Sequence, residues 1–296
     1  MRAAINDTEI YFEIVNSGSP LVEKPAVKPT VFALHGGLGS DHGYLRPGLD
    51  PLGDVARVVY VDLRCQGRSG RPPLDTCSLE QMADDVVDLA VMLGVERPII
   101  FGHSAGGFVT MTAAARHPDL VGGVILCGTL STLDRSETAD SATDPRLSDR
   151  ASAEVVAAAE RYFTTPVTPE TAQDFVTRVH PFYVAPHYMD CVDKLYSLSS
   201  FEPAMHRHFR EIIAPKYDIR NDLAGVRCPA LVLVGSYDWV CPPSASRDIA
   251  RRIKGAELVE FTNSGHFIFC EEPQTFQSIV SNFLSGFVEA FEDDLR

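Results

Sequence analysis

The chain has 296 residues, 45% hydrophobic and 22% charged, with a formal net charge of −14. That size supports one large α/β domain with room for an inserted subdomain. Acidity without basic runs argues against nucleic acid and anionic membranes as partners, and no apolar run has the length of a membrane span or a signal-peptide core. The seven cysteines are odd in number and scattered, with no Cys-x-x-Cys pair. They suggest neither a zinc site nor a disulfide framework, and a reducing cytoplasm is the expected location.

Residues 9–15 alternate well enough for a strand, and Asn6-Asp7 before them suggest the turn of an N-terminal hairpin. Residues 17–29 hold three prolines and read as a surface loop. Residues 30–34 are an unbroken apolar run, the pattern of a strand covered on both faces, and 57–61 read as another buried strand. The first runs into a glycine-rich turn, His35-Gly36-Gly37-Leu38-Gly39-Ser40. Over 78–93 the apolar residues Leu79, Met82, Val86, Leu89 and Leu93 share one helical face, with Ser78 as N-cap and Gly94 as stop.

Residues 99–101 form the next apolar strand and lead into Gly102-His103-Ser104-Ala105-Gly106, followed by a helical pattern to His117-Pro118. Strand, sharp turn with serine at the apex, then helix is the context a nucleophile elbow requires. The glycines let the turn close where larger side chains would collide, and the serine must take a strained conformation. A further strand follows at 123–128.

From 131 to 220 the periodicity changes. A polar stretch over 131–150 precedes four short helical patterns at 154–163, 169–179, 188–198 and 205–213. Strands resume at 229–235 and 257–261, and a helix over 273–289 closes the pattern. The reading is a mostly parallel, doubly wound α/β sheet built from 1–130 and 221–296, with 131–220 inserted as a helical cap, or lid.

Ligands in such sheets bind at the carboxyl ends of the strands. Asp238 follows the strand at 229–235, and His266 follows the strand at 257–261. The order Ser104, Asp238, His266 is nucleophile, acid, base. A serine hydroxyl needs a base to take its proton, imidazole titrates in the right range, and a carboxylate behind it sets the tautomer. Asp134 stands as a competing acid, while Asp248 lies in a helical stretch. An oxyanion hole needs two N–H donors, and Ala105 and Gly37 are the candidates. His35, Gly36, Leu38, His103 and Trp239 are candidate pocket residues, and the inserted His180, His187, His206 and His208 read as packed or solvated.

These motifs together resemble the α/β-hydrolase superfamily over essentially the whole chain: His35-Gly36-Gly37, Asp62-Leu63-Arg64 through Gly67-Arg68-Ser69, the pentapeptide around Ser104, Gly235 through Asp238, and Gly265-His266. Within it, the turn from His35 with His42 and Tyr44 following is similar to the proline iminopeptidase-like branch. That resemblance implies removal of an N-terminal residue, with a cap carboxylate holding the ammonium group; Glu154, Glu160, Glu170, Glu202 and Glu211 are the candidates. The chain differs from the branch at Leu38, in its Gly-His-Ser-Ala-Gly elbow, and at Trp239.

The reading is therefore a serine hydrolase that cleaves an ester, lactone or amide of a small molecule through an acyl-enzyme on Ser104. An aminopeptidase and a ligand-binding protein with idle catalytic residues are the alternatives. No metal or cofactor is implied, and oligomeric state is not legible.

Overall fold

A computed structural model describes residues 1–15, 28–134 and 141–294. Eight strands form one sheet: β1 (Arg2–Ile5), β2 (Thr8–Val15), β3 (Thr30–Leu34), β4 (Arg57–Asp62), β5 (Ile99–His103), β6 (Gly123–Cys127), β7 (Ala230–Gly235) and β8 (Glu257–Phe261). Their order is β1-β2-β4-β3-β5-β6-β7-β8. The hairpin β1–β2 and the β2–β4 pair are antiparallel, and every other neighbouring pair is parallel. Asn6 and Asp7 turn the hairpin with φ of 44° and 65°, as a two-residue turn between twisted strands demands.

The central strands β3, β5, β6 and β7 are buried almost throughout, because helices cover both faces. Two apolar clusters result, one on each side of the sheet. The helix Leu79–Met92 starts on Ser78, whose hydroxyl accepts from the Gln81 N–H, and ends before Gly94 at φ +69°. The helix Ala105–Arg116 is buried along most of its length.

Between β6 and β7 the described residues contain no strand, only helices and an isolated bridge between Thr132 and Asp218. That bridge, with Ile219 N–H donating to Ser131 O and the Tyr217 hydroxyl to Leu130 O, draws the two ends of the insertion together at one place on the sheet. The inserted helices run Ala153–Thr164, Pro169–Arg178, Val192–Tyr196 and Pro203–His208. The third and fourth are shorter than the periodicity suggests: Pro186–Cys191 is a 3₁₀ turn and Phe209–Ile213 a π turn. Most of the expected loop at 17–29, and part of the polar stretch at 131–150, lie outside the described residues.

The sulfur atoms of Cys65 and Cys77 approach each other across a separation of 12 residues. Each sits at one end of a short local loop between β4 and the helix Leu79–Met92, a proximity that framework and zinc spacings do not flag. Cys127, Cys228 and Cys241 are free and buried, and Cys270 is free and half-buried. Among the described residues no helix is long and apolar enough to cross a membrane.

Candidate active site

Ser104 caps the helix Ala105–Arg116 directly after β5, at φ 52° and ψ −122°. An L-residue avoids that region unless its surroundings enforce it. The enforcement is visible at the flanking glycines. A Cβ on Gly102 would strike the Thr110 hydroxyl and Gly106, and a Cβ on Gly106 would strike the carbonyls of Leu34 and His35. Two hydrogen bonds then hold the apex: Ser104 N–H donates to Cys127 O at 2.9 Å, and the Thr129 hydroxyl donates to Ser104 O at 2.7 Å.

Asp238 and His266 follow β7 and β8, which are neighbours in the sheet. His266 Nδ1 lies 2.7 Å from Asp238 Oδ2, and both side chains are buried. A carboxylate only accepts, so Nδ1 carries the proton and Nε2 is left as the basic nitrogen. The other carboxylate oxygen, Oδ1, accepts from Val240 N–H at 2.9 Å and Cys241 N–H at 2.8 Å, which fixes the plane of Asp238. The competing acids lie elsewhere: Asp134 is exposed, and Asp248 is paired with Arg252 at 2.7 Å.

His103 joins the elbow to the histidine loop. Its ring centroid lies 4.6 Å from that of His266, and its Nε2 lies 2.9 Å from His266 O. A carbonyl only accepts, so Nε2 is the protonated nitrogen. Burial, with His266 beside it, holds the His103 imidazole well below its ordinary value and hence neutral. Its Nδ1 is therefore an acceptor, and the Tyr44 hydroxyl donates to it at 2.8 Å while accepting Gly36 N–H at 2.6 Å.

The glycine-rich turn after β3 packs against the elbow: a Cβ on Gly36 would stand 2.6 Å from Ser104 Cβ. Within this turn Gly36 N–H is taken by Tyr44 and Gly39 N–H by Gln66 Oε1. Gly37, at φ +55°, keeps an N–H with no acceptor among the described residues. Ala105 N–H is likewise open, as expected in the first turn of a helix.

The remaining expected pocket residues divide. His35 is buried, its Nε2 accepting from Leu63 N–H and its Nδ1 donating to Gly36 O, so no ring nitrogen is left for a ligand. His103 is committed in the same way. Leu38 is buried, and its carbonyl meets His206 Nδ1 from the inserted helices at 3.2 Å. Trp239 is half-buried, donates to Phe182 O at 2.8 Å, and meets Tyr183 edge-on at 5.6 Å. Tyr183 in turn stands edge-on to His266 at 5.4 Å. Tyr44 and Tyr183 were not legible as site residues, because only distant chain segments give them partners.

None of the five inserted glutamates is buried. Glu154, Glu160, Glu170 and Glu211 are exposed, and the half-buried Glu202 faces Arg71 at 3.5 Å. Among the described residues, Asp238, Cys241 and His266 form one cluster whose ligand atoms lie within 4.8 Å of one another. Two of the three are already joined by the His266–Asp238 hydrogen bond.

Known proteins share this fold. The family model described as alpha/beta hydrolase fold matches residues 29–273. The proline iminopeptidase PfmaB of Pestalotiopsis fici is 30% identical over 256 residues, which cover 84% of this chain and 89% of that protein. RutD of Caulobacter sp., named for carbamate hydrolysis, is 29% identical over 286 residues, covering 94% of this chain and 96% of that protein. The solved enol-lactonase from Burkholderia xenovorans superimposes with a TM-score of 0.73 at 25% identity, covering 96% of this chain and 100% of that one.

Proposed function

This chain belongs to the alpha/beta hydrolase family, and we propose that it is a serine hydrolase cleaving an ester, lactone or amide of a small molecule. The observation that carries the reading is the buried His266–Asp238 hydrogen bond, with the His266 ring against His103, the residue that precedes a serine held at positive φ on a strand-helix elbow.

In this reading His266 Nε2 takes the Ser104 proton as Oγ attacks the substrate carbonyl. The oxyanion that develops accepts the open N–H groups of Ala105 and Gly37. Asp238 stabilises the imidazolium, which then protonates the leaving group. Water, activated by the same imidazole, releases the acid from the acyl-enzyme and restores Ser104. The inserted helices cover the site and exclude water from it. Names among the relatives span amide, carbamate and lactone cleavage, all of which share this acyl-transfer chemistry.

The aminopeptidase reading draws on the 30% identity to PfmaB. It needs a carboxylate at the pocket for the ammonium group; four of the inserted glutamates are exposed and the half-buried Glu202 faces Arg71, which favours the ester or lactone reading instead.

Labelling with a fluorophosphonate probe, followed by a panel of acyl and aminoacyl chromogenic esters and amides, tests both. Labelling lost in Ser104→Ala, with acyl substrates preferred over those bearing a free α-amine, is the expected result. An unlabelled wild type would overturn the serine mechanism, and preference for the free amine would move the assignment to the aminopeptidase.

A further inference from the structure

Glu271 is 2% exposed, yet it belongs to none of the motifs that define the site. It ends the short helix Ile268–Glu271, just after the histidine loop. Its Oε1 accepts Phe267 N–H at 2.9 Å. Its Oε2 accepts Gly265 N–H at 2.8 Å and Ala185 N–H at 2.7 Å. Gly265 and Phe267 are the two chain neighbours of His266, and Ala185 belongs to the inserted segment.

The backbone of His266 is held as well. Its N–H donates to Tyr183 O at 2.7 Å, and its carbonyl accepts from His103. Residues 182–185 are fastened from the other side. Arg150 donates to the carbonyls of Phe182 and Val184, and Trp239 also donates to Phe182 O. The approach is so close that a Cβ on Gly265 would strike Tyr183 O and stand 2.9 Å from Val184 Cα.

A carboxylate this deep in the fold is costly to desolvate, and burial pushes the Glu271 carboxyl up to about 7 against the pull of its three amide donors. An apolar residue would fill the space without that cost. What an apolar residue could not do is hold the amides on both sides of His266.

We propose that Glu271 is the positioning residue of this site, fixing the backbone on either side of His266 and tying the inserted segment at Ala185 to the same support. The proposal rests on the serine-hydrolase reading above. Glu271 touches neither substrate nor reacting atoms; it acts through the placement of the imidazole. It follows that the inserted segment at 182–185 is part of the catalytic framework and does not swing away as a lid.

Three variants test this. Glu271→Gln keeps the shape but turns an amide NH₂ toward one of the backbone N–H groups. Ala185→Pro removes a single donor at a residue whose φ of −63° suits proline. Val280→Ala, on the buried face of the closing helix, lowers stability at a position outside the histidine loop. We expect Glu271→Gln to lower kcat about 10–100-fold with KM nearly unchanged, since small misplacement of a catalytic group costs about that much. Ala185→Pro should act in the same direction and less. The His266 ring signals in NMR, identified by their loss in His266→Asn, should shift in both. Val280→Ala, at a matched fall in Tm, should move neither kcat nor those signals.

Unchanged ring signals and kcat in a folded Glu271→Gln would overturn the proposal, as would equal losses in Val280→Ala. If Glu271→Gln does not fold, Ala185→Pro decides by the same readouts. A wild type that neither labels nor turns over would sink the hydrolase reading instead, and the ring signals alone would then decide the role of Glu271.

Discussion

The Tyr44 hydroxyl links the glycine-rich turn to the elbow: it accepts Gly36 N–H at 2.6 Å and donates to His103 Nδ1 at 2.8 Å. Because His103 Nε2 donates onward to His266 O, one chain of hydrogen bonds runs from the turn beside Gly37, under Ser104, to the histidine loop. All of it is buried, where each unmade bond carries a desolvation cost. Tyr44→Phe removes the middle of the chain. The expected result is a loss of about 1–3 kcal/mol in unfolding free energy. Turnover should fall with it, because Gly37 and His266 lose their common reference. Denaturant melts and kcat on the same preparation check this; unaltered kcat would separate the chain from catalysis.

Ser104→Ala should fold normally and lose about 10⁴–10⁶ of turnover, the scale set by removing a triad nucleophile. Asp238→Asn should lose about 10⁴-fold while keeping substrate binding, since an amide NH₂ facing Nδ1 selects the wrong tautomer. Its Oδ1 position can still accept from Val240 and Cys241, so the loop should stay in place. Steady-state kinetics with melting curves distinguish this from simple unfolding. Near-full activity in either variant would refute the assignment.

Gly36→Ala places a methyl group 2.6 Å from Ser104 Cβ and 2.9 Å from His103 O. Neither atom can yield, because the elbow is already held on both sides. A small-to-large change in such packing costs about 1–3 kcal/mol. The methyl also pushes Ser104 off its position, so kcat should drop further than Tm suggests. A variant with wild-type kcat would show that the turn and the elbow are less tightly coupled than their geometry implies.

Asp62, fully buried, accepts His42 Nδ1–H at 2.6 Å and Arg68 N–H at 2.8 Å. Burial alone would raise its carboxyl, but the bond and charge of His42 outweigh it and hold the group well below the usual carboxylate range. A carboxyl depressed in the folded state contributes its full stability above the unfolded value, about 4, and loses it as pH falls toward the folded value. Stability should therefore decline below about pH 4, in part through this group. Asp62→Asn should cost about 1–3 kcal/mol at neutral pH by weakening the buried acceptor of His42 Nδ1–H and Arg68 N–H. It should also flatten the acid limb. Denaturation free energies of the two proteins, compared from neutral to acid pH, check this; parallel curves would show that Asp62 does not carry the dependence.

Much of this architecture was legible from residues alone. The runs at 30–34 and 257–261 coincide with β3 and β8, and the remaining strands agree to within a residue or two at most of their ends. The first is legible because a strand covered on both faces is apolar almost throughout, whereas β8, at the sheet edge, keeps two glutamates. The elbow was legible because sterics within a few residues dictate glycine on either side of Ser104. The Asp238–His266 pair could be anticipated because strand ends of one parallel sheet converge on one rim. The inserted segment was less clear. Its periodicity marked helices but did not separate them from the 3₁₀ and π turns at 186–191 and 209–213, whose apolar spacing is much the same.

By itself, then, the sequence determined the strands, the strained serine and the rim on which Asp238 and His266 stand, because each depends on sterics or hydrophobic period over a short span. The tertiary structure decided how those groups are held. Tyr44 meets His103 across 59 positions, His103 meets His266 across 163, and Glu271 meets Ala185 across 86. A buried polar group must find a partner wherever the fold brings one, so a pairing at such separations leaves no trace in the order of residues.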